Sequence, residues 1–333
     1  MYIETSNNII FSEVIVMKKR LNLMPAEDLS LQEGFEKFIQ LKRAVNLSQA
    51  TLEGYASSFR YFADFTGADI NCKTISNNTV LEYISYLRRT RPNLANTSLN
   101  AYLRGLRAIL YFLMRGGYMP KFEVSMIRAE KKIKEVYTDE ELEKLLKKPN
   151  IKTSNFSEYR NWVIVCYLLG TGNRLATVCN IKIGDINFAE REIKLKSVKN
   201  KKQYIIPLSA TLEKTLLEYL VYRKGNAADY LFCSTYGEQL DKEALKTAVR
   251  RYNQRRGVNK TGIHAFRHTY GKDWIKNRGD MFSLQKLLGH SSLEMVKEYV
   301  EMFAEDLKQD YDRFNPLDKR TGYIDSRKSI KLV

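Results

Sequence analysis

Leu287-Leu288-Gly289-His290-Ser291-Ser292-Leu293-Glu294-Met295-Val296-Lys297-Glu298-Tyr299 carries a tyrosine nine residues after a histidine. A short way upstream lies His264-Ala265-Phe266-Arg267-His268-Thr269-Tyr270. The chain has 3 histidines, and all of them fall in these two segments. A sequence so sparing of imidazole that gathers it beside arginine and tyrosine holds a site there, not scattered core histidines. Taken alone, Leu287-Leu288-Gly289 is equally a plain helix stop, and among 21 tyrosines any one is a packing residue by default. Tyr299 is set apart only by its spacing from His290; Tyr270 and Tyr311 are its competitors.

Outward from these segments the chain reads as helices joined to a small sheet. Helical patterns run near 211–223, 241–255, 264–277, 281–288 and 292–303. Ahead of them come Asp185-Ile186-Asn187-Phe188, Glu192-Ile193-Lys194-Leu195-Lys196 and Tyr204-Ile205-Ile206-Pro207-Leu208. These short alternating or β-branched runs, joined by polar turns, predict an antiparallel sheet whose last strand ends at Pro207. An apolar helix near 159–170 stops at Gly170-Thr171-Gly172. Thr138-Asp139-Glu140-Glu141 opens another helix, with a capping threonine and acids at the positive end of its dipole.

Residues 30–120 read as a separate helical bundle of about four helices. Leu31, Phe35, Phe38 and Ile39 fall at helical spacing. Ser48 caps a second helix that carries Leu52, Tyr55, Phe59 and Phe62 on one face. A third runs near Val80 to Arg88, and a fourth carries Leu99, Leu103, Leu106, Ile109, Leu110 and Leu113 up to Gly116-Gly117. Arg88, Arg89, Arg91, Arg104, Arg107 and Arg115 decorate the polar faces, either as a solvated surface or as phosphate contacts. The charged stretch Arg128-Ala129-Glu130-Lys131-Lys132-Ile133-Lys134-Glu135 reads as part of a linker. The organisation expected is an extension (1–28), the helical unit (29–120), a linker (121–137), a second unit (138–304) and a charged tail (305–333).

Composition narrows the class. A length of 333 residues suffices for two domains with real cores. The net charge of +17 and a pI near 9.5 favour a polyanionic partner, with nucleic acid the default. Cys72, Cys166, Cys179 and Cys233 match neither a zinc pattern nor a disulfide framework, which points to a reducing compartment. The basic cluster Lys18-Lys19-Arg20 follows the apolar patch of the first residues, the wrong order for a secretory signal. Met17 is an alternative start. No run approaches membrane-spanning length.

Cleaving a phosphodiester without a metal ion needs a nucleophile, fixed positive charge on the non-bridging oxygens and a proton for the leaving alkoxide. Tyrosine is a poor nucleophile until cationic neighbours assist it, but its aryl phosphodiester is easily reversed, which suits strand exchange without ATP. Arg174 follows the helix end Thr171-Gly172-Asn173, and Arg267 lies three residues after His264, on the same side of a helix. Guanidinium forks match phosphate oxygens in pairs. Lys199 sits at the tip of the hairpin Ser197-Val198-Lys199-Asn200-Lys201-Lys202, with Lys201 and Lys202 as nearby rivals for the same work.

Arg174, Lys199, His264-Ala265-Phe266-Arg267, Leu288-Gly289-His290 and Tyr299, in this order and spacing, resemble the tyrosine recombinase (phage-type integrase) family over residues 30–305. The resemblance implies a mainly α fold with a small antiparallel sheet: an N-terminal helical core-binding (SAM-like) bundle and a C-terminal α+β catalytic domain. It implies that Tyr299 attacks the scissile phosphate to give a 3′-phosphotyrosyl bond, that Arg174 and Arg267 hold the phosphate, and that Lys199 is the general acid. Lys199 is preferred over Lys201 and Lys202 because counting back from Pro207-Leu208 reaches the family's lysine. His264 and His290 would support proton transfer and phosphate contacts, and His268 is read as structural. Arg88, Arg89, Arg104, Arg107, Lys201 and Lys202 are the DNA-contact candidates.

Two departures stand out. Thr177 occupies the place of the family's usual Glu or Asp three residues after the first arginine, and Asn173 precedes that arginine, where asparagine tolerates a strained turn. The resemblance implies duplex DNA as partner, a homotetramer acting on two DNA sites, no cofactor, no metal, no membrane, an accessory directionality factor and a cytoplasmic, nucleoid-associated setting. The tail, with Leu307, Tyr311 and Phe314, is expected to dock on a neighbouring subunit. The role expected is integrase or transposase of a mobile element. The alternatives are a Xer-like resolvase, a type IB topoisomerase, and a DNA-binding protein that kept the fold and lost the chemistry.

Overall fold

The computed structural model describes residues 28–129, 135–196 and 203–289, with 293, 294, 296, 297, 299 and 316 beyond them. The chain divides into two compact units, Met1–Lys132 and Ile133–Val333. Lys199, Lys201, Lys202, His290, Tyr311, the extension up to 27 and nearly all of the tail lie outside the described residues.

The first unit is the expected helical bundle: α1 (Leu31–Ala44), α2 (Gln49–Thr66), α3 (Asn77–Thr90) and α4 (Asn96–Arg115). Ser30 and Glu33 form a reciprocal capping box on α1, and the hydroxyl of Ser48 accepts from Thr51 N to start α2, so side-chain oxygens satisfy orphan amides at both starts. Phe38, Phe62, Tyr83, Leu103, Ile109 and Leu113 close the core, and the Phe35 and Phe59 rings stack at 4.0 Å. Helices α2 and α4 approach closely because Gly105 has no side chain: a Cβ there would collide with the Ser58 side chain.

The segment after α4 corrects the expected linker. Met119 and Val124 are buried against this bundle, with Phe122, Met126 and Ile127 packed on it. The Asn100 side chain clamps Ile127 from both sides, donating to its carbonyl at 2.7 Å and accepting from its amide at 2.9 Å. At the other end Tyr137 is fully buried in the second unit. Burial of these apolar residues outweighs the polar composition of the stretch between them.

The second unit is built around α6 (Phe156–Thr171), which is buried on nearly all sides and so lacks an apolar stripe. Helices α5 (Asp139–Leu146), α8 (Ala210–Arg223), α9 (Lys242–Arg255) and α10 (Ile263–Lys276) pack on it. A short α7 (Leu175–Asn180) follows α6, and α11 (Met281–Leu288) follows α10. The three-stranded sheet is antiparallel in the order β1 (Ile186–Asn187), β2 (Glu192–Lys196) and β3 (Gln203–Pro207). Ile193 pairs with Ile206 and Leu195 with Tyr204, so one face of the ribbon enters the core while Lys194 and Ile205 face out. The ladder closes at Lys196–Gln203, which makes residues 197–202 the connection that carries the lysines. Among the described residues no helix is long and apolar enough to cross a membrane.

Candidate active site

The ends of α6, α10 and α11 meet at one point, and a glycine makes that possible. Gly172 caps α6 in the left-handed region, with φ of 60°. A Cβ on it would lie 2.7 Å from the Leu288 side chain and 2.8 Å from the Tyr270 ring. This is the strained position of the turn. Asn173 does not have positive φ; it is buried and its side-chain amide donates to the Tyr167 hydroxyl at 2.8 Å.

Arg267 fastens the junction. Its guanidinium donates to the Gly172 carbonyl and to the Leu288 carbonyl, each at 2.8 Å, and the residue is only 5% exposed. Arg174, at the start of α7, is exposed and reaches the Leu288 and Gly289 carbonyls at 3.4 Å. Burial, and then the Arg174 charge beside it, lower the Arg267 pKa to about 10, which leaves it cationic at neutral pH. Two cations converging on a helix C-terminus form a site that an oxyanion would relieve.

His264 lies one turn before Arg267 on α10 and is exposed. Although the residue keeps exposed surface, partial desolvation of its ring, then the charges of Arg267, Arg174 and Lys246, depress its pKa, so the imidazole is neutral at neutral pH and can both donate and accept. Thr177 sits half-buried in α7, its amide donating to the Arg174 carbonyl at 2.9 Å. The turn that starts α7 is thus closed by backbone, with an uncharged side chain where a carboxylate was the expected pattern.

Tyr299 is helical in conformation and 1% exposed, packed with Leu284, Leu288 and Val296. Its ring lies against Gly271 of α10, where a Cβ would stand 2.8 Å from it. Its hydroxyl lies 2.9 Å from Nδ1 of His268. One turn after His264, His268, read from the sequence as structural, touches the expected nucleophile. Tyr270, the competitor, stacks on Trp274 and has its phenol pushed up to about 12 by burial alone.

Tyr204 was not anticipated. A Cβ on Gly289 would lie 3.3 Å from the Tyr204 hydroxyl, and the Arg267 and Arg174 charges oppose the rise that burial imposes on its pKa. Its signal in the sequence was only its place just past the lysine-bearing hairpin. In the first unit, Arg88, Arg89 and Arg104 are exposed and Arg107 is half-buried. Arg88 donates to the Asn96 side chain at 3.4 Å. Sequence reading missed the aromatic centre of this surface: Tyr61 is covered by the Arg91 guanidinium at 4.2 Å and by Arg60 at 5.3 Å, and meets the Tyr102 ring edge-on at 4.9 Å.

A helical bundle followed by an α+β unit, with two converging arginines and a tyrosine held by a histidine, defines a DNA strand-transferase class of site. Residues 135–306 match the phage integrase family and residues 30–132 match the phage integrase SAM-like domain. The chain belongs to the tyrosine recombinase, or phage integrase, family, a class of site-specific DNA recombinases. It is 27% identical over 297 residues to tyrosine recombinase XerD of Staphylococcus haemolyticus, covering 85% of this chain and 98% of the relative. Its fold resembles the Tn1549 transposon integrase in complex with transposon right end DNA (TM-score 0.66, 17% identity, 86% of this chain and 99% of that one). It also resembles a lambda integrase dimer bound to a COC′ core site (TM-score 0.64, 18% identity, 80% of this chain and 97% of that one).

Proposed function

We propose that the chain performs site-specific recombination of duplex DNA by strand exchange through a 3′-phosphotyrosyl intermediate. The observation that carries this reading is the convergence of the Arg174 and Arg267 guanidiniums on the Leu288 carbonyl, with Tyr299 in the same buried cluster as that leucine. The arginines hold the scissile phosphate and stabilise the charge that builds on its oxygens. The Tyr299 oxygen bonds to phosphorus as the P–O5′ bond breaks, and Lys199 protonates the leaving oxygen. His264 and His290 support proton transfer and contact the phosphate. The 5′-hydroxyl of a second strand reverses the step and completes exchange, so no external energy source is consumed. The catalytic set is Tyr299, Arg174, Arg267, Lys199, His264 and His290, and no residue in it calls for a cofactor.

In this reading a homotetramer acts on two DNA sites, with Arg88, Arg89, Arg104, Arg107, Lys201 and Lys202 on phosphates and the tail from 305 docked on a neighbouring subunit. The biological role is integrase or transposase of a mobile element, supported by the departures at Asn173 and Thr177. A Xer-like resolvase is the second reading, favoured by the near-complete coverage of XerD.

The test uses duplexes tiled across the genomic region around the coding sequence, in EDTA. A covalent protein–DNA adduct on a denaturing gel is expected for the wild type and not for Tyr299→Phe. Tight binding without adduct from either protein would replace the reading with that of a non-catalytic DNA binder. Relaxation of supercoils at no defined site would replace it with a topoisomerase.

A further inference from the structure

We propose that His268 is a further catalytic residue, the acceptor of the Tyr299 phenol proton when the nucleophile attacks. This rests on the reading of Tyr299 as nucleophile and deepens it, assigning the phenol proton to His268 and not to His264 or His290.

Three observations carry it. The Nδ1–Oη distance of 2.9 Å is that of a hydrogen bond, on the reacting atom itself. Tyr299 is 1% exposed, so bulk water and hydroxide have no ready access to its proton. The third is the face of α10. His264, His268 and Gly271 follow one another at spacings of four and three residues, so they share a side of the helix. Gly271 leaves room for the Tyr299 ring to pack against the helix, with the phenol within reach of His268 one turn earlier. Tyrosine and histidine ring centroids are 5.9 Å apart and tilted by 49°, which aims the hydroxyl at the ring edge instead of stacking the rings.

The balance is complete. The Tyr299 oxygen forms its bond to phosphorus, its proton passes to Nδ1 of His268, the P–O5′ bond breaks, and O5′ takes a proton from the general acid. Religation runs the same transfers backwards, with His268 returning the proton to the phenol. For this the neutral imidazole carries its hydrogen on Nε2 and keeps Nδ1 as acceptor. His264, exposed, with its ring centroid 6.5 Å from that of His268, then has a separate task on the phosphate side, beside the two arginines.

The experiment measures single-turnover adduct formation on the duplex that yields the adduct, for wild type, His268→Asn, His268→Phe and Tyr299→Phe. DNA binding and thermal melting serve as controls for folding. Asparagine can still hydrogen-bond the phenol but cannot take its proton. The expected result is a fall of roughly 10²-fold or more for His268→Asn with binding intact, the range typical of general-base removal. Replacing Tyr299 by 3-fluorotyrosine, whose phenol is more acidic, should recover a large part of the rate in His268→Asn while changing the wild type little; a purely structural histidine would show no such rescue. Near-wild-type cleavage by His268→Asn would overturn the proposal, reducing the contact to a tether. Faster cleavage by His268→Phe would overturn it the other way, making the contact a restraint. If adduct persists in Tyr299→Phe, the nucleophile itself is misassigned and the proposal falls with that reading.

Discussion

Arg174 and Arg267 share one carbonyl oxygen, that of Leu288, approaching it at 3.4 and 2.8 Å from the N-cap of α7 and from α10. The carbonyl at the end of α11 has the partial negative charge of a helix C-terminus, so it offsets part of the repulsion between two guanidiniums held together. The arginines are therefore assembled before DNA arrives, and a phosphate meets them already paired.

Arg267→Lys tests whether charge alone suffices. Lysine keeps the cation but cannot bridge Gly172 and Leu288 with a fork. Adduct formation should fall by roughly 10²-fold or more, in the range seen when one transition-state donor is lost. Stability should drop by about 2–4 kcal/mol, because two buried carbonyls lose a charged donor. Urea unfolding beside a cleavage assay measures both.

Gly172→Ala should destabilise the second unit by roughly 1–3 kcal/mol. The left-handed backbone is unfavourable for alanine, and the new methyl overlaps the Leu288 and Tyr270 side chains. A shift in denaturation midpoint without a change in slope would register it.

Gly271→Ala separates stability from chemistry. Alanine favours a helix over glycine by about 0.8–1.0 kcal/mol, which offsets part of the cost of crowding the Tyr299 ring at 2.8 Å. The melting temperature should therefore change little, while displacement of the phenol lowers adduct formation by roughly 10- to 100-fold. Equal rates with equal stability would mean that the ring is not positioned by α10.

The depressed His264 pKa gives stability a pH dependence of known sign. The unfolded histidine binds a proton near 6.5 and the folded one only at lower pH, so the unfolded state holds more protons in between. Its contribution is present above about 6.5 and is lost as pH falls through the folded value. His264→Asn should flatten the decline of the urea midpoint on acidification. A bound phosphate, facing the same arginines, should reduce the depression.

Local signals were legible wherever neighbours in sequence decide the outcome. The caps at Ser48 and Thr138, the stop at Gly172 and the three strands all follow from side chains within a few residues of each element. Helix α7 escaped because six residues are too few to show a period and no side chain caps its start. The stretch 121–129 was read as linker because the charged run from Arg128 lacks an apolar stripe; its apolar residues Phe122, Val124 and Met126 pack on the bundle instead. The candidate residues Arg174, His264, Arg267 and Tyr299 were singled out from their order and spacing. That His268 meets Tyr299 was hidden, because the partners are 31 residues apart and only folding lays the Tyr299 ring over Gly271. Why residue 172 must be glycine was hidden too, since the Leu288 and Tyr270 side chains that crowd it come from distant segments.

Because Arg267 ties α6 to α11, selection on this residue has two independent sources. A lineage that abandoned strand cleavage would still need it to fold, whereas the Tyr299 hydroxyl could be discarded with the ring kept in the core. Retention of Arg267 in a descendant is thus weak testimony about activity, and retention of the phenol is strong testimony. Decay of the chemistry would begin at the oxygen atom and reach the guanidinium last.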